Sequence, residues 1–470
     1  MTDVGEDIRN VRQEKDLLGT RTLPANAYYG IHSVRAAENY NFCGYPIHPE
    51  LIRALAIVKK AAALANLEAG VLEEKKAKAI VQAADEIIEG KWHNQFIGEA
   101  IQGGAGTGIN MNANEVIANR ALDILGHKPG NYSELHPLDD VNKGQSTNDV
   151  IPTAIRIAAI RLMGSYLEAA ELLAETLEKK AEQCKDLIKL GRTHLQDAVP
   201  ITVGQELNAW ASAIRRDVAR GHKIIELLSV VNLGGTAVGT GINAHPDYMK
   251  AVGAKLREAS GIESLRVSDD LVDATQNLDA WVEASGLMKA TATTLTKIAN
   301  DLRLMASGPM VGLAEVKLPP VAAGSSIMPG KINPVIPELV NQICFKVYGN
   351  DLTISLGASA GQFELNVMQP VMSHCLFESI SMLTNAMKAL AEKVIKGMEF
   401  NKERLERYAG SAMTLVTALN PIIGQDAASD VAKKALEQGK DIVSVVIEEG
   451  LLDEETARKV LDPRTMVGKK

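Results

Sequence analysis

The sequence predicts an all-α protein: an elongated bundle of five long central helices, flanked by smaller N- and C-terminal helical domains. Three observations carry this expectation. From Ile151 the chain keeps a helical apolar period for more than thirty residues, with no proline after Pro152. Stretches of the same character recur at 203–230, 269–306, 334–354 and 370–398. Aromatic residues are only 4% of the chain against 46% hydrophobic. The interior is therefore filled by Ala, Leu, Ile, Val and Met, whose small and unbranched members suit close helix packing.

The elements follow in order. Residues 1–145 form an N-terminal domain of short helices and loops. LGTRTLPANAYYGIHSV has turn chemistry and no sustained period, and 50–68 and 73–89 read as amphipathic helices. Residues 146–398 are the central domain, whose first helix would be roughly 50 Å long at about 1.5 Å per residue. SGLMKATATTLTKIAND is apolar or small around much of its circumference, which points to burial against other subunits. Residues 399–470 return to short amphipathic helices such as DAASDVAKKALEQG and form a small C-terminal domain.

Net charge of −8 and a pI near 5.7 argue against a general nucleic-acid binder. Cys43, Cys184, Cys344 and Cys375 lie far apart and form no CxxC, so they read as reduced, mostly buried thiols. The polar N-terminus, MTDVGEDIRNVRQEKD, does not read as a signal peptide, and no apolar run of membrane-spanning length is expected. The expectation is a soluble, cytoplasmic protein.

Four polar, glycine-marked segments punctuate the helices: GGAGTGINMNANE (103–115), DVNKGQSTND (140–149), LGRTHLQDAVP (190–200) and GSSIMPGKINPVIPE (324–338). They supply Thr107, Asn110, Asn112, Asn142, Ser146, Thr147, Asn148, Thr193, His194, Ser325, Ser326, Lys331 and Asn333. So many hydroxyls and amides, with a His, a Lys and few carboxylates, suit a small substrate that is itself a carboxylate. Simpler roles compete. Ser146 or Thr147 can cap the helix that follows, and Asn333 before Pro334 has the form of an N-cap followed by proline at the first helical position. Capping leaves Ser325, Ser326 and Lys331 unexplained, because they precede that helix in a loop.

Other chemistries find less support. GGTAVGTG (234–241) follows no strand and precedes no Lys-Ser/Thr, which disfavours a dinucleotide or phosphate loop. The nine histidines form no HExxH, so no metal site is expected. His32, His93, His127, His222 and His245 read as surface or loop residues. No GxSxG marks a hydrolase elbow.

Taken together the four segments resemble the aspartase/fumarase superfamily. Residues 324–338 match its signature, GSSxMPxKxN with a Glu five residues on, and the similarity extends from PANAYYGIHSVRAAEN (24–39) to LNPIIGQDAASDVAKKA (419–435). Ser146-Thr147-Asn148-Asp149, GAGT at 104–107 and LVDATQNLDA at 271–280 resemble the aspartase branch more than the fumarase branch. The resemblance implies a homotetramer whose central helices merge into one bundle, with each active site assembled from three chains. It also implies reversible anti-elimination of ammonia from L-aspartate to give fumarate, with no organic cofactor. Proton loss from C3 beside a carboxylate creates a doubly charged aci-carboxylate, so the site must offer many donors to it.

By resemblance, Thr107, Ser146, Thr147 and Ser326 hold that group, and Lys331 and Asn333 hold the other carboxylate. Asn148, Thr193 and His194 surround the amino group. Ser325 matches the base, and loop N–H groups with a cation such as Lys331 would have to stabilise its alkoxide. Residues 324–333 then read as a lid. Met310, Gly108, Gln369 and LHPLDDVN (135–142) depart from the usual pattern, and the lost Arg charge at 310 puts loop anchoring, or a subtle change in substrate, in question. The competing readings are fumarase-type hydration, a lyase acting on a substituted aspartate, an ammonia-lyase with an Ala-Ser-Gly-derived electrophile, and a non-catalytic scaffold.

Overall fold

The computed structural model describes residues 10–468; the first part of the polar N-terminus and the last two residues of the C-terminal domain lie outside the described residues. The chain opens with a hairpin of β1 (Val11–Asp16) and β2 (Gly19–Pro24), then α1 (Ile31–Asn39), α2 (Pro49–Glu68), α3 (Glu74–Ile88) and α4 (Thr107–Ile124). Next come α5 (Thr147–Gln183), a second hairpin of β3 (Ile188–Thr193) and β4 (Gln196–Thr202), and α6 (Val203–Leu228). The two-residue strands β5 (Val230–Val231) and β6 (Arg266–Val267) bracket α7 (Pro246–Ser260). There follow α8 (Leu271–Gln276), α9 (Asp279–Met305), β7 (Val316–Lys317), α10 (Val335–Ser359), α11 (Gln369–Leu390) and β8 (Glu399–Phe400). The C-terminal helices are α12 (Lys402–Ser411), α13 (Asn420–Ile423), α14 (Gln425–Gln438), α15 (Ile442–Glu448) and α16 (Glu454–Val460).

The fold is the expected mostly helical one, built on the five long helices α5, α6, α9, α10 and α11. Two corrections concern those helices. The stretch 269–306 is not one helix: Asn277 adopts an extended backbone, φ −98° and ψ 135°, and separates α8 from α9. Its side-chain amide donates to Asp273 Oδ1 at 2.7 Å, so a polar side chain ends the helix where the apolar period alone runs on. The second concerns α5, which carries a window as apolar as a membrane-crossing helix, with mean hydropathy 1.3. Arg156 and Arg161 interrupt this run and hide it from a search for charge-free segments. The fold buries 72% of the window, as suits a core helix.

The Cα framework divides into two compact units, and each long helix has part of its length in both. The first unit comprises the chain up to Leu167, Ala219–Ala290 and Phe345–Leu383; the second comprises Glu168–Val218, Thr291–Cys344 and the chain from Thr384. In the first, α2 packs on α3 and α7, and α3 on α4. Ile155, Tyr166, Trp281, Met288 and Ile380 are all buried there. In the second, Leu173, Leu177, Ile214, Leu295, Ile298 and Leu390 are buried. Leu190, Leu415, Leu419, Val431, Val445 and Ala457 form a separate core under the C-terminal helices. The four cysteines are free, Cys344 and Cys375 buried and Cys43 exposed.

Candidate active site

In the first unit the site residues sit at two adjacent helix starts. α4 begins after Gly104, Ala105 and Gly106, three successive residues with positive φ (78°, 55° and 87°). This left-handed turn leaves Thr107 exposed at the first helical position, its Oγ1 donating to Gly104 O at 2.7 Å. A side chain at 106 would meet Ile151 at 3.2 Å, so glycine permits the start of α4 to lie against the start of α5. Asn110 Nδ2 then donates to Thr147 Oγ1 at 3.1 Å, which ties the two threonine-bearing turns together. Two helix N-termini present unpaired N–H groups and the positive ends of two dipoles, an environment that favours a carboxylate.

Ser146 does cap α5, as the sequence suggests. Its carbonyl accepts from Val150 N at 3.0 Å, its Oγ accepts from Asn148 N at 3.3 Å, and Asp149 Oδ1 accepts from Ser146 N at 2.8 Å. Pro152 has no N–H to give to the carbonyl of Asn148 four residues back. Asn232 Nδ2 takes that place at 3.0 Å, and Asn148 Nδ2 donates to Ala237 O at 2.7 Å. The glycine-rich segment 234–241 thus finds its purpose. Its backbone grips the start of α5, with Gly234 N and Thr236 N donating to Asp149 Oδ2 at 3.1 and 3.0 Å.

The second unit carries Thr193, His194, Ser325, Ser326, Lys331 and Asn333. Thr193 and His194 are exposed at the tip of the β3–β4 hairpin, where His194 and Leu195 have φ of 57° and 61°. Two successive positive φ values make a tight two-residue turn suited to the twist of a hairpin. Strand β3 of this hairpin is held by a buried acid. Glu315 lies 2.6 Å from Arg192 Nη2 and 3.3 Å from Lys189 Nζ, ion contacts that are close but not aligned as hydrogen bonds. Lys189 is itself buried and also pairs with Glu206 at 2.8 Å.

Residues 324–333 close on themselves as a loop. Gly324 N donates to Lys331 O at 2.9 Å, and Asn333 Nδ2 donates to Gly324 O at 2.7 Å. This corrects the expected cap: the side chain of Asn333 serves the loop, and the Pro334 carbonyl accepts the first α10 bond, from Glu338 N at 3.1 Å. Proline's fixed φ tolerates that place one residue later than the sequence pattern suggests. Ser325 Oγ accepts from Ile327 N at 3.2 Å and Met328 N at 3.0 Å. Two N–H donors on one hydroxyl oxygen favour its ionised form over its neutral one. Ser326 and Lys331 are exposed.

Sequence reasoning missed the supports beneath these residues. Lys59 is fully buried and donates to Asn142 Oδ1 at 2.8 Å and Gln145 Oε1 at 3.0 Å. Burial brings its pKa down to about 7, against the pull of Asp149, and burial raises Asp149 to about 6. The available signal was phase: Lys59 shares the α2 face of Leu55, Ala62 and Asn66, whereas Lys60 points to Asp85 at 2.7 Å. Asn112, another candidate, instead braces the 95–97 segment, taking Ile97 N at 3.1 Å and giving to Gln95 O at 3.0 Å.

A helical bundle with serine, threonine and amide donors at glycine-marked turns suits a lyase acting on a small carboxylate. The chain belongs to the aspartase/fumarase superfamily: the family model described as "Lyase" matches residues 19–349, and that described as "Fumarase C C-terminus" matches residues 415–468. It is 50% identical to an aspartate ammonia-lyase of a Bacillus species, over 97% of this chain and 97% of that one. A crystal structure titled fumarate lyase:delta crystallin from Brucella melitensis, bound to cobalt, superposes with a TM-score of 0.95 at 47% identity, covering 98% of this chain and 100% of that one. A class II fumarase from Schistosoma mansoni superposes with a TM-score of 0.94 at 33% identity, covering 97% and 99%.

Gly324 allows a sharp test of the loop. A Cβ there would lie 2.2 Å from Lys331 O, so Gly324→Ala must open the ring that closes the loop. The loop is at the surface, so the melting temperature should hold while turnover falls by about a hundredfold, the usual cost of misplacing a reacting group by an ångström. Steady-state kinetics beside thermal denaturation check this; full turnover in the variant would mean that the closed loop is not needed.

Proposed function

We propose that this protein is an aspartate ammonia-lyase, interconverting L-aspartate with fumarate and ammonia, with Ser325 as the base. The observation that carries this reading is the Ser325 oxygen, which accepts two backbone N–H groups within a glycine-closed loop. Serine is far too weak a base in water. An oxygen already solvated by fixed donors loses less on ionising, and a substrate that excludes water strengthens those donors further. The Ser325 alkoxide takes the C3 proton and becomes a hydroxyl, and the electron pair moves into the adjacent carboxylate. Thr107, Ser146, Thr147 and Ser326 receive the doubly charged group, while Lys331 and Asn333 hold the other carboxylate. The electron pair then returns from the aci-carboxylate to form the C2=C3 double bond as the C2–N bond breaks, the C2–N pair leaving on nitrogen as ammonia past Asn148, Thr193 and His194. With fumarate as substrate, product should form only when ammonium is present, and Ser325→Ala should remove nearly all turnover. Malate formed without ammonium would favour the hydration reading instead.

The same reading includes a homotetramer with active sites shared by three chains, and a cytoplasmic location suited to four free cysteines. It keeps the sequence domains 1–145, 146–398 and 399–470. Support for assembly comes from α10, where Phe345, Gly349, Leu352 and Leu356 recur at spacings of four, three and four and are all exposed. Phe345 and Leu352 expose 59% and 61% of their surface, and nothing lies within 4 Å of a Cβ built on Gly349. That spacing is the seam of helices packing side by side, and a second copy supplies a like helix. The pair Phe345→Glu and Leu352→Glu should therefore dissociate the assembly in light scattering and abolish turnover. Co-refolding Ser325→Ala with Thr147→Ala should recover part of the activity; no recovery would place both residues of a site on one chain.

A further inference from the structure

We propose that Lys59 is a positioning residue for this reaction: its buried ammonium clamps the turn before α5 from beneath and orients the Thr147 hydroxyl toward the substrate carboxylate. The inference rests on the function proposed above. Lys59 has no accessible surface, and its α2 neighbours Leu55, Val58, Ala62 and Ala63 are buried and apolar. An ammonium in such a place is retained against a desolvation cost. Among the described residues no carboxylate pairs with it directly; its partners are the two amide oxygens of Asn142 and Gln145.

Those partners lead to the site. Asn142 Oδ1 also accepts from Asn110 Nδ2 at 3.3 Å and Asn114 Nδ2 at 3.2 Å, so three N–H groups converge on one oxygen. Asn110 Nδ2 in turn donates to Thr147 Oγ1 at 3.1 Å. Once that oxygen accepts a bond from behind, its own hydrogen is left to donate outward. Gln145 Nε2 meanwhile donates to Val141 O and Lys143 O at 3.0 and 3.1 Å, stiffening the same turn. On its other side Asp149 takes three backbone N–H groups. The segment 142–149 is thus held between one buried cation and one buried anion.

Among the described residues, Asp149, at the start of α5, is the only charged group that acts on Lys59. Tyr248 on α7 faces Asp149 and is kept protonated by burial and by that carboxylate. α4 presents the neutral amides Asn110 and Asn114. The buried pair titrates near neutrality: Asp149 gains its charge as pH rises through about 6, and Lys59 loses its own as pH rises through about 7, so the cationic half of the clamp is lost above about 7.

The test is the KM for aspartate against pH, in wild type, Lys59→Met and Asn110→Ala. Wild type should show KM rising as pH increases through about 7. Lys59→Met, close in length and uncharged, should raise KM about ten-fold or more at pH 6.5, with a smaller change in kcat, and should lack the rise. Asn110→Ala keeps the lysine but cuts its link to Thr147, and should raise KM while keeping the rise. If Lys59→Met fails to fold, Asn110→Ala and the wild-type profile decide. A wild-type KM and pH profile in Lys59→Met, or an unchanged KM in Asn110→Ala, overturns the proposal. Wild type inactive on aspartate at every pH overturns the function on which it rests, and the two failures are told apart by that control.

Discussion

The Asp149 carboxylate is the fixed point of the first unit. It takes N–H groups from Ser146, Gly234 and Thr236, so one side chain joins the start of α5 to a turn eighty-five residues further on. Burial is not fully offset by these bonds. The pKa rises from 3.8 to about 6, which at about 1.4 kcal/mol per unit disfavours the charged form by roughly 3 kcal/mol. A group raised in this way stabilises the fold most below its unfolded value near 3.8, and that contribution is lost as pH rises through about 6. At neutral pH the carboxylate is therefore a net cost. What it gives in return is geometry. Only an acceptor-only group can receive three donors with none of its own to place, and an amide there would point an N–H at an N–H.

The second unit uses the same device with a different partner. Glu315 is buried against β3 of the β3–β4 hairpin and neutralised by Arg192 and Lys189 rather than by backbone N–H groups. In both cases a buried acid braces a turn, while candidate site residues lie further out: Thr107, exposed, and Thr147, half-buried, in one unit, and the exposed Thr193 and His194 in the other. The Ser325 loop has no such anchor. Among the described residues it closes through Gly324, Lys331 and Asn333, bonds within the loop itself.

The long helices are legible in the sequence because their apolar period and alanine content act locally. The break at Asn277 is not, because DATQNLDA keeps its period across a residue whose backbone is extended. The two hairpins escape for a related reason. LGRTHLQDAVP lacks strand alternation and carries His-Leu where a hairpin turn favours Asn-Gly, and its β3 strand makes ion contacts with Glu315, far away in the chain. The candidate site residues are legible because hydroxyls, amides and glycines crowd into four short segments. Their supports are not. Lys59 looks like half of a solvated Lys-Lys pair, and Asp149 like one more acid in a helix's first turn, until burial separates them from their neighbours. Pro152 looks like an ordinary early-helix proline, and only the bond from Asn232 to the freed Asn148 carbonyl shows what it does.

The structure shows how three of the departures from the superfamily pattern, at Met310, Gln369 and Gly108, are absorbed. Met310 is 84% exposed, and its loop does not depend on it. Arg404 donates to Gly312 O at 3.0 Å, and Ser307 Oγ accepts from Leu313 N at 3.0 Å, so the loop is held through its main chain. Gln369 is buried and donates to Asn366 O at 3.2 Å, a bond that an ionised glutamate could not make. Gly108 has a steric partner. A Cβ there would lie 2.4 Å from Gln102 Oε1 and 2.9 Å from Ala36 Cβ, so the missing side chain is filled by Gln102. Gln102 is itself tied to Glu99 O at 2.7 Å. A larger residue at 108 would have to displace Gln102 next to Thr107. The identity of 108 is thereby coupled to the packing behind the first substrate-assigned threonine, not to the chemistry in front of it.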